Sequence, residues 1–319
     1  MDRMTVRNGD IALNVVVDGP ATSAEPPILC VHGWPELSYS WRHQLAHFAA
    51  MGRRIAALDV RGYGDSDKPV PIEAYTMAEL CADVAAVIDA LGGRAILFGH
   101  DWGAPIVWNT ALRHPEKVVA VAGLSVPYVP VRDVPFLAAM RHVYKDRFFY
   151  QLYFQDEGVA EAEFESDPDT LAKIYFGLSG AGMETAFAQP KGPDAQFLTG
   201  LSAPETYPDW MTEADLAVYR DAFARGGWRG PLNRYRAQDL DFAAREPVKD
   251  RKIAQPACFV AGTLDPVRRF LPGSDMYAVA GDGCDNFRGT TLIEGVGHWV
   301  QQEAPEATNA ALETFVRGL

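Results

Sequence analysis

The run AILFGHDWG, residues 95–103, passes from four apolar residues into a sharp corner, and Ala104-Pro105-Ile106-Val107-Trp108-Asn109 then spaces as a helix. A buried strand turning straight into a helix projects its central corner side chain above the sheet edge. Small residues two before and two after let the backbone bend. Gly99 and Gly103 are those residues, and Asp101 is the side chain they present. The helix N-terminus beyond it favours negative charge. No Gly-x-Ser-x-Gly occurs in the chain, so no serine nucleophile competes for this role. A carboxylate suits displacement at a saturated carbon. Attack by serine there would leave an ether, whereas attack by Asp101 leaves an ester that water cleaves at its carbonyl. The alternative is a plain helix-capping aspartate, which does not account for the paired glycines.

Outward from this corner, strands alternate with helices. Ile11–Val17, Pro27–Val31, Arg54–Val60, Ala95–Phe98 and Val118–Leu124 read as strands. Trp41–Ala50 and the segment after Asp101 read as helices. Thr76 opens another that runs to Leu91, with Glu79 placed for a capping box. Such alternation predicts parallel βαβ units with right-handed crossovers. The rhythm breaks after Val126-Pro127. Residues 133–245 carry aromatics, acids and helical spacing. Strand patterns then return at Ala257–Ala261 and Thr290–Ile293, with a closing helix over Ala304–Val316. The expected organisation is an α/β core in two parts, 1–132 and 246–319, interrupted by a helical lid over 133–245.

The 319 residues carry a net charge of −13, which argues against a nucleic-acid or anionic-membrane surface. No apolar run is long enough to span a membrane, and the first residues lack the apolar core of a secretory signal. Cys30, Cys81, Cys258 and Cys284 are scattered without metal-ligand spacing. The expectation is a reduced, cytoplasmic protein acting on small molecules, with no metal and no cofactor. Self-association as a homodimer is left open.

A carboxylate ester needs a base for its hydrolysis. Of seven histidines, His298 lies in the Gly-rich loop Glu294-Gly295-Val296-Gly297-His298-Trp299, past a late strand, where open α/β sheets collect their sites. Asp265, in Gly262-Thr263-Leu264-Asp265-Pro266, follows the preceding strand and is placed to orient that imidazole. The chain order nucleophile, acid, histidine suits this architecture. His100 adjoins Asp101, so its ring is expected to point elsewhere and serve the structure. An oxyanion hole is also required. The loop His32-Gly33-Trp34-Pro35-Glu36 fits, with the backbone N–H groups of Trp34 and Trp102 as donors.

With these residues in place, the chain resembles the soluble epoxide hydrolases of the α/β-hydrolase fold. HGWPE (32–36), SWRHQ (40–44), RGYGDS (61–66), GHDWG (99–103), YQLYFQ (150–155), GPLNRYR (230–236), GTLDPV (262–267) and GHW (297–299) stand in that family's order. The resemblance implies Asp101 as nucleophile, His298 as base, Asp265 as its orienting acid, and Trp34 and Trp102 as oxyanion donors. It also implies two lid tyrosines that hold the epoxide oxygen as the ring opens. Tyr150 is the first, with Tyr153 as the alternative in the same segment. Tyr235 is the second. Arg234 beside it departs from the aromatic expected there. Substrate contact is assigned to Trp34, Pro35, Trp102, Gln151 and Phe154, and selectivity to lid side chains such as Leu152, Phe154 and Leu178. The product is a vicinal diol, and detoxification is the implied role. Two alternatives stand beside this reading. A haloalkane dehalogenase shares the aspartate nucleophile, but that family usually has Asn after His-Gly and lacks the tyrosine pair. A non-catalytic receptor of the same fold is the other.

Overall fold

The structure is a computed structural model that describes residues 1–130, 133–183 and 191–319. Eight strands form one sheet: β1 (Asp2–Asn8), β2 (Ile11–Asp18), β3 (Ile28–Val31), β4 (Ile55–Leu58), β5 (Ala95–His100), β6 (Val118–Leu124), β7 (Ala257–Gly262) and β8 (Phe287–Ile293). Their order is β1-β2-β4-β3-β5-β6-β7-β8. β1 and β2 join antiparallel, and so do β2 and β4. Every other neighbour pair is parallel. Strands β3, β4, β5 and β7 are buried along their whole length, as a sheet covered by helices on both faces requires.

The period of two along a strand divides its side chains between two cores. Leu29, Val31 and Leu97 face the helices Met77–Ala90 and Gly103–Arg113, through Leu80, Val84 and Ile106. Ile28, Cys30, Ile96 and Phe98 face the opposite side, against Phe48 of Arg42–Ala50 and Leu312 and Phe315 of Pro305–Arg317. Each of these burials contributes about 1.5–3 kcal/mol, so the central strands are pinned from both faces. The chain crosses from β3 to β4 on one side and then returns past β3 to β5. The ends of β3 and β5 are therefore adjacent at a reversal of strand order, the position at which open α/β sheets leave a crevice.

Between β6 and β7 the described residues form helices and turns and no strand. The expected boundary at residues 132 and 133 falls beside Val131 and Arg132, which lie outside the described residues. Two local expectations need correction. Asp2–Asn8 is an additional strand; only Val6 of it is buried, so it carries almost no alternation. The helix after Thr76 begins as expected, but no capping box forms. Glu79 is drawn instead to Arg61 (3.3 Å), and the Met77 N–H is satisfied by Asp241 from the inserted segment (2.6 Å).

Candidate active site

The corner at the end of β5 is strained in the way that a projected side chain demands. Asp101 has φ of +48°, a left-handed conformation that non-glycine residues rarely adopt. The helix that follows sits so close to the sheet that a Cβ on Gly103 would lie 2.0 Å from the Val31 carbonyl oxygen. Gly33, on the neighbouring loop, is equally constrained: a Cβ there would lie 2.4 Å from Asp101 Oδ1 and 2.6 Å from the Trp102 nitrogen. The glycines thus let two backbone segments close around one carboxylate.

That carboxylate is not a helix cap. Its Oδ1 accepts a hydrogen bond from the Trp34 backbone N–H (2.7 Å), and its Oδ2 lies 3.3 Å from His298 Nε2. Trp34 follows β3 and is joined to Pro35 by a cis peptide bond. On its other side His298 Nδ1 donates to Asp265, at 3.0 and 3.1 Å from the two oxygens. Asp265 is itself held by the Val267 N–H at 2.9 Å. Burial lowers the affinity of His298 for its proton, but the facing charges of Asp265 and Asp101 outweigh it and hold the imidazole well above its ordinary value.

A further buried network lies beneath. His100 Nε2 donates to the carbonyl of His298 (2.7 Å), and its Nδ1 meets Glu36 at 2.6 Å. Glu36 also accepts from the Gly33 N–H (3.0 Å) and Gln301 (2.8 Å). Ser125, another residue of positive φ (+63°), donates its hydroxyl to the same His298 carbonyl (2.8 Å). His32 accepts from the Val60 N–H through Nε2, so its Nδ1 carries the proton that meets the Gly33 carbonyl. Glu36 and Ser125 were not singled out in the sequence. A glutamate after a proline and a serine after a strand carry no periodic signal, and only the fold brings them under the histidine.

Above the carboxylate is a cavity of about 430 Å³, lined by Trp34, Asp101, His298, Tyr150 and Tyr235 together with Leu178, Phe197 and Phe270. The tyrosine rings come from different elements between β6 and β7, Tyr150 from the turn of helix Tyr150–Tyr153 and Tyr235 from helix Arg229–Arg236. Their centroids are 5.8 Å apart and edge to face. Burial raises both phenols well above their ordinary value; Asp101 adds to the shift of each, and the neighbouring Tyr150 to that of Tyr235. Gln151 donates its amide N–H to the Tyr150 oxygen (2.9 Å), so the phenolic proton remains available to a third group. Tyr153 donates to Glu163 (2.9 Å) and does not line the cavity.

The assigned substrate contacts divide. Trp34 lines the cavity, but Pro35, Trp102, Gln151 and Phe154 do not. The Pro35 carbonyl accepts from Tyr175 (3.1 Å), behind the loop. The Trp102 ring lies between Tyr235 (5.3 Å) and the Arg234 guanidinium (4.8 Å). Gln151 acts on Tyr150, and Phe154 is a fully buried wedge packed on Trp34, Tyr150, Tyr235 and Phe197. Pro35, Trp102 and Gln151 each adjoin a cavity residue but face another way, because consecutive helix and loop residues point in different directions, whereas Phe154 lies behind the cavity rings that it packs against. Leu178 does line the cavity and Leu152 does not. Lys191, Arg147 and Arg269 also line it, a feature the sequence did not suggest.

A strand-order crevice holding a carboxylate after β5, a second acid after β7 and a histidine after β8 defines an α/β-hydrolase enzyme. The family model for the alpha/beta hydrolase fold matches residues 26–305. The chain is 41% identical to epoxide hydrolase A of Mycobacterium tuberculosis, over 100% of this chain and 98% of that protein. It superposes on the crystal structure of epoxide hydrolase A from Mycobacterium thermoresistibile with a TM-score of 0.91 at 40% identity, covering 100% and 98% of the two chains. An epoxide hydrolase from Vigna radiata gives 0.88 at 32% identity, covering 100% and 98%. The chain belongs to the epoxide hydrolase family of the α/β hydrolases.

Proposed function

We propose that the protein converts organic epoxides to vicinal diols in two steps through a covalent ester on Asp101. Tyr150 and Tyr235 donate hydrogen bonds to the epoxide oxygen. Asp101 Oδ2, the oxygen free of Trp34, attacks a ring carbon; the ring C–O bond breaks, the alkoxide takes the phenolic proton of a tyrosine, and the proton that His298 sheds on alkylation restores that phenol. Oδ1 becomes the ester carbonyl, already in contact with the Trp34 N–H. The observation that carries this reading is the placement of one carboxylate between a backbone N–H donor (2.7 Å) and an Asp-bound imidazole (3.3 Å), on the wall of a cavity that two tyrosines share. In this reading residues 133–245 form the lid that supplies the tyrosines and excludes bulk water.

Alkylation also sets up the second step. It neutralises Asp101, and one of the two charges that hold the proton on His298 disappears. The imidazole then becomes a base for water while Asp265 keeps it oriented. Water attacks Cγ, the Trp34 and Trp102 N–H groups hold the oxyanion on Oδ1, and the bond from Cγ to Oδ2 breaks. The diol leaves with Oδ2, and the water oxygen stays in Asp101. A single turnover in heavy-oxygen water therefore labels Asp101 and leaves the first diol unlabelled. His298→Gln accumulates an adduct of protein plus epoxide mass, and Asp101→Ala forms neither adduct nor diol. Label in the first diol, with none in the protein, would refute the ester.

A further inference from the structure

Beside the His298–Asp265 pair lies a buried phenol that no step of the proposed reaction uses. Tyr277 stands on the turn Met276–Val279 and packs edge-on against Phe259 of β7, with ring centroids 4.9 Å apart. Both of its ends are fixed. Asp275 accepts from the Tyr277 N–H (3.0 Å) and pairs with Arg268 (2.7 Å), which belongs to the turn that follows Asp265. At the other end the hydroxyl donates to the Ser125 carbonyl (2.8 Å). The same phenol oxygen faces the Asp265 carboxylate, whose charge adds to burial in raising the phenol. Ser125 in turn donates its own hydroxyl to the His298 carbonyl. Tyr277 therefore meets the ends of β6 and β7 directly and the loop after β8 through Ser125.

This placement matters because the charge around Asp265 changes during the proposed reaction. Before alkylation the imidazole carries a proton and lies between Asp101 and Asp265. Alkylation neutralises Asp101, and His298 sheds that proton. Asp265 is then a buried carboxylate against a neutral imidazole, held by the Nδ1–H of His298 and the Val267 N–H. The other titratable groups that act on it, Glu303 and Tyr150, bring no positive charge. The nearby cation Arg268 is engaged by Asp275. A buried carboxylate that loses its counter-ion is stabilised by any donor within reach. A phenolic hydrogen rotates about its C–O bond, so Tyr277 turns it from the Ser125 carbonyl to Asp265 without moving the ring.

We propose that Tyr277 is a positioning residue for ester hydrolysis, its O–H turning from Ser125 to Asp265 when Asp101 is alkylated and holding that carboxylate as an anion. A carboxylate that accepts a further hydrogen bond pulls less strongly on a proton of the neighbouring imidazole. Tyr277 thus lowers the proton affinity of His298 at the ester stage. More of the imidazole is free base at a given pH, which is the form that activates water.

The inference rests on the Asp101 ester, and its test keeps the two apart. Ester decay is followed across pH in single turnovers of the full chain with styrene oxide. Tyr277→Phe keeps the ring and removes the hydroxyl. The acid limb of its hydrolysis rate should move to higher pH by about half a unit to one unit, a loss of about three- to tenfold on that limb, with alkylation within about twofold of wild type. Ser125→Ala removes a donor from the His298 carbonyl and leaves the Asp265 carboxylate untouched, so it should slow hydrolysis without moving the limb. In an Asp265→Asn background Tyr277→Phe should no longer shift it, because no charge remains for the hydroxyl to serve. The position of the limb does not depend on how much enzyme is folded. A limb unmoved by Tyr277→Phe, moved as far by Ser125→Ala, or still shifted by Tyr277→Phe in the Asp265→Asn background overturns this inference and leaves the ester intact. If the wild-type protein forms no ester from styrene oxide, the hydrolase reading and this inference fall together.

Discussion

Tyr150 and Tyr235 carry a chemical tension that the site resolves in time. Their phenols are raised by burial and by the negative Asp101 across the cavity, so both remain protonated through any working pH. A weak acid is a poor proton source for most leaving groups but is well matched to an alkoxide, and in the proposed mechanism the carboxylate that weakens it is consumed as the alkoxide forms. Each hydrogen bond is thus strongest in the transition state, where it is useful. Tyr150→Phe or Tyr235→Phe should slow alkylation of Asp101 by about 10²-fold. Stopped-flow tryptophan fluorescence would read this step, and ester hydrolysis should change far less. Tyr153→Phe should leave alkylation near wild type because its hydroxyl is held by Glu163. At the base, Asp265→Asn removes the larger of the two charges that hold the proton on His298. The acid limb of the pH–rate profile for hydrolysis should move to lower pH, and the rate should fall by about 10³-fold as the imidazole loses its orienting partner. The meeting of Asp101 and His298 was legible in the sequence because each stands in a glycine-flanked turn at a strand end. Lys191 was not, because nothing local to it distinguishes a cavity lysine from a surface one.

At the level of elements, the late loop that bears His298 is fastened to the inserted segment through one half-buried carboxylate. Glu303 accepts from the N–H groups of Gly297 (3.2 Å) and Trp299 (3.0 Å), which flank the histidine, and from Gly180 of the inserted segment (2.7 Å). Beside it the His298 N–H donates to the Leu178 carbonyl (2.9 Å). Burial raises Glu303 even against these three donors, so the carboxylate is held in a demanding place. Glu303→Gln keeps the size but turns an amide N–H toward backbone donors. The expected loss is about 1–3 kcal/mol of stability by thermal unfolding. A slower hydrolysis step should accompany it, with the alkylation rate changed less, because the loop carries the proposed base and not the proposed nucleophile. This fastening shows which elements were readable in advance. β3 to β7 announce themselves as short apolar runs, since burial on both faces leaves a continuous apolar signal. β1 does not, because six of its seven residues escape full burial. The capping box at Thr76 does not form for a tertiary reason: Arg61, held by Asp83 at 2.6 and 2.8 Å, recruits Glu79, and the Thr76 N–H turns back to the Glu73 carbonyl. A local motif lost to partners far away in sequence.

Across the whole molecule, the buried groups beneath the site should make stability fall in acid. Burial raises Glu36 and Asp59, but His100 and the Gly33 N–H pull the other way for Glu36, and the N–H groups of Ser38 and Asp65 do so for Asp59. Both carboxyls end below their ordinary values of 4.5 and 3.8. A carboxyl depressed in the folded state contributes stability above its unfolded value, and that stability is lost as pH falls through the folded value. His32 acts in the same direction. Burial, its largest influence, lowers it below 6.5, so below that pH the unfolded chain binds a proton that the folded chain refuses. His298 opposes them: its raised value contributes stability that is complete below 6.5 and is lost as pH rises through the folded value. The melting temperature should therefore decline from about pH 6.5 downward and fall more steeply below about pH 4.5. Relief of repulsion in a chain of net charge −13 would act the other way, stabilising the fold as acid neutralises it. Salt separates the two, because surface repulsion is screened within a Debye length and a fully buried cluster is not. Thermal unfolding across this range at low and high ionic strength should show the same acid slope. Glu36→Gln should flatten the part of that slope below pH 4.5 while lowering the melting temperature at neutral pH. An acid slope abolished by salt, or unchanged in Glu36→Gln, would place the sensitivity on the surface and away from the network that supports His298.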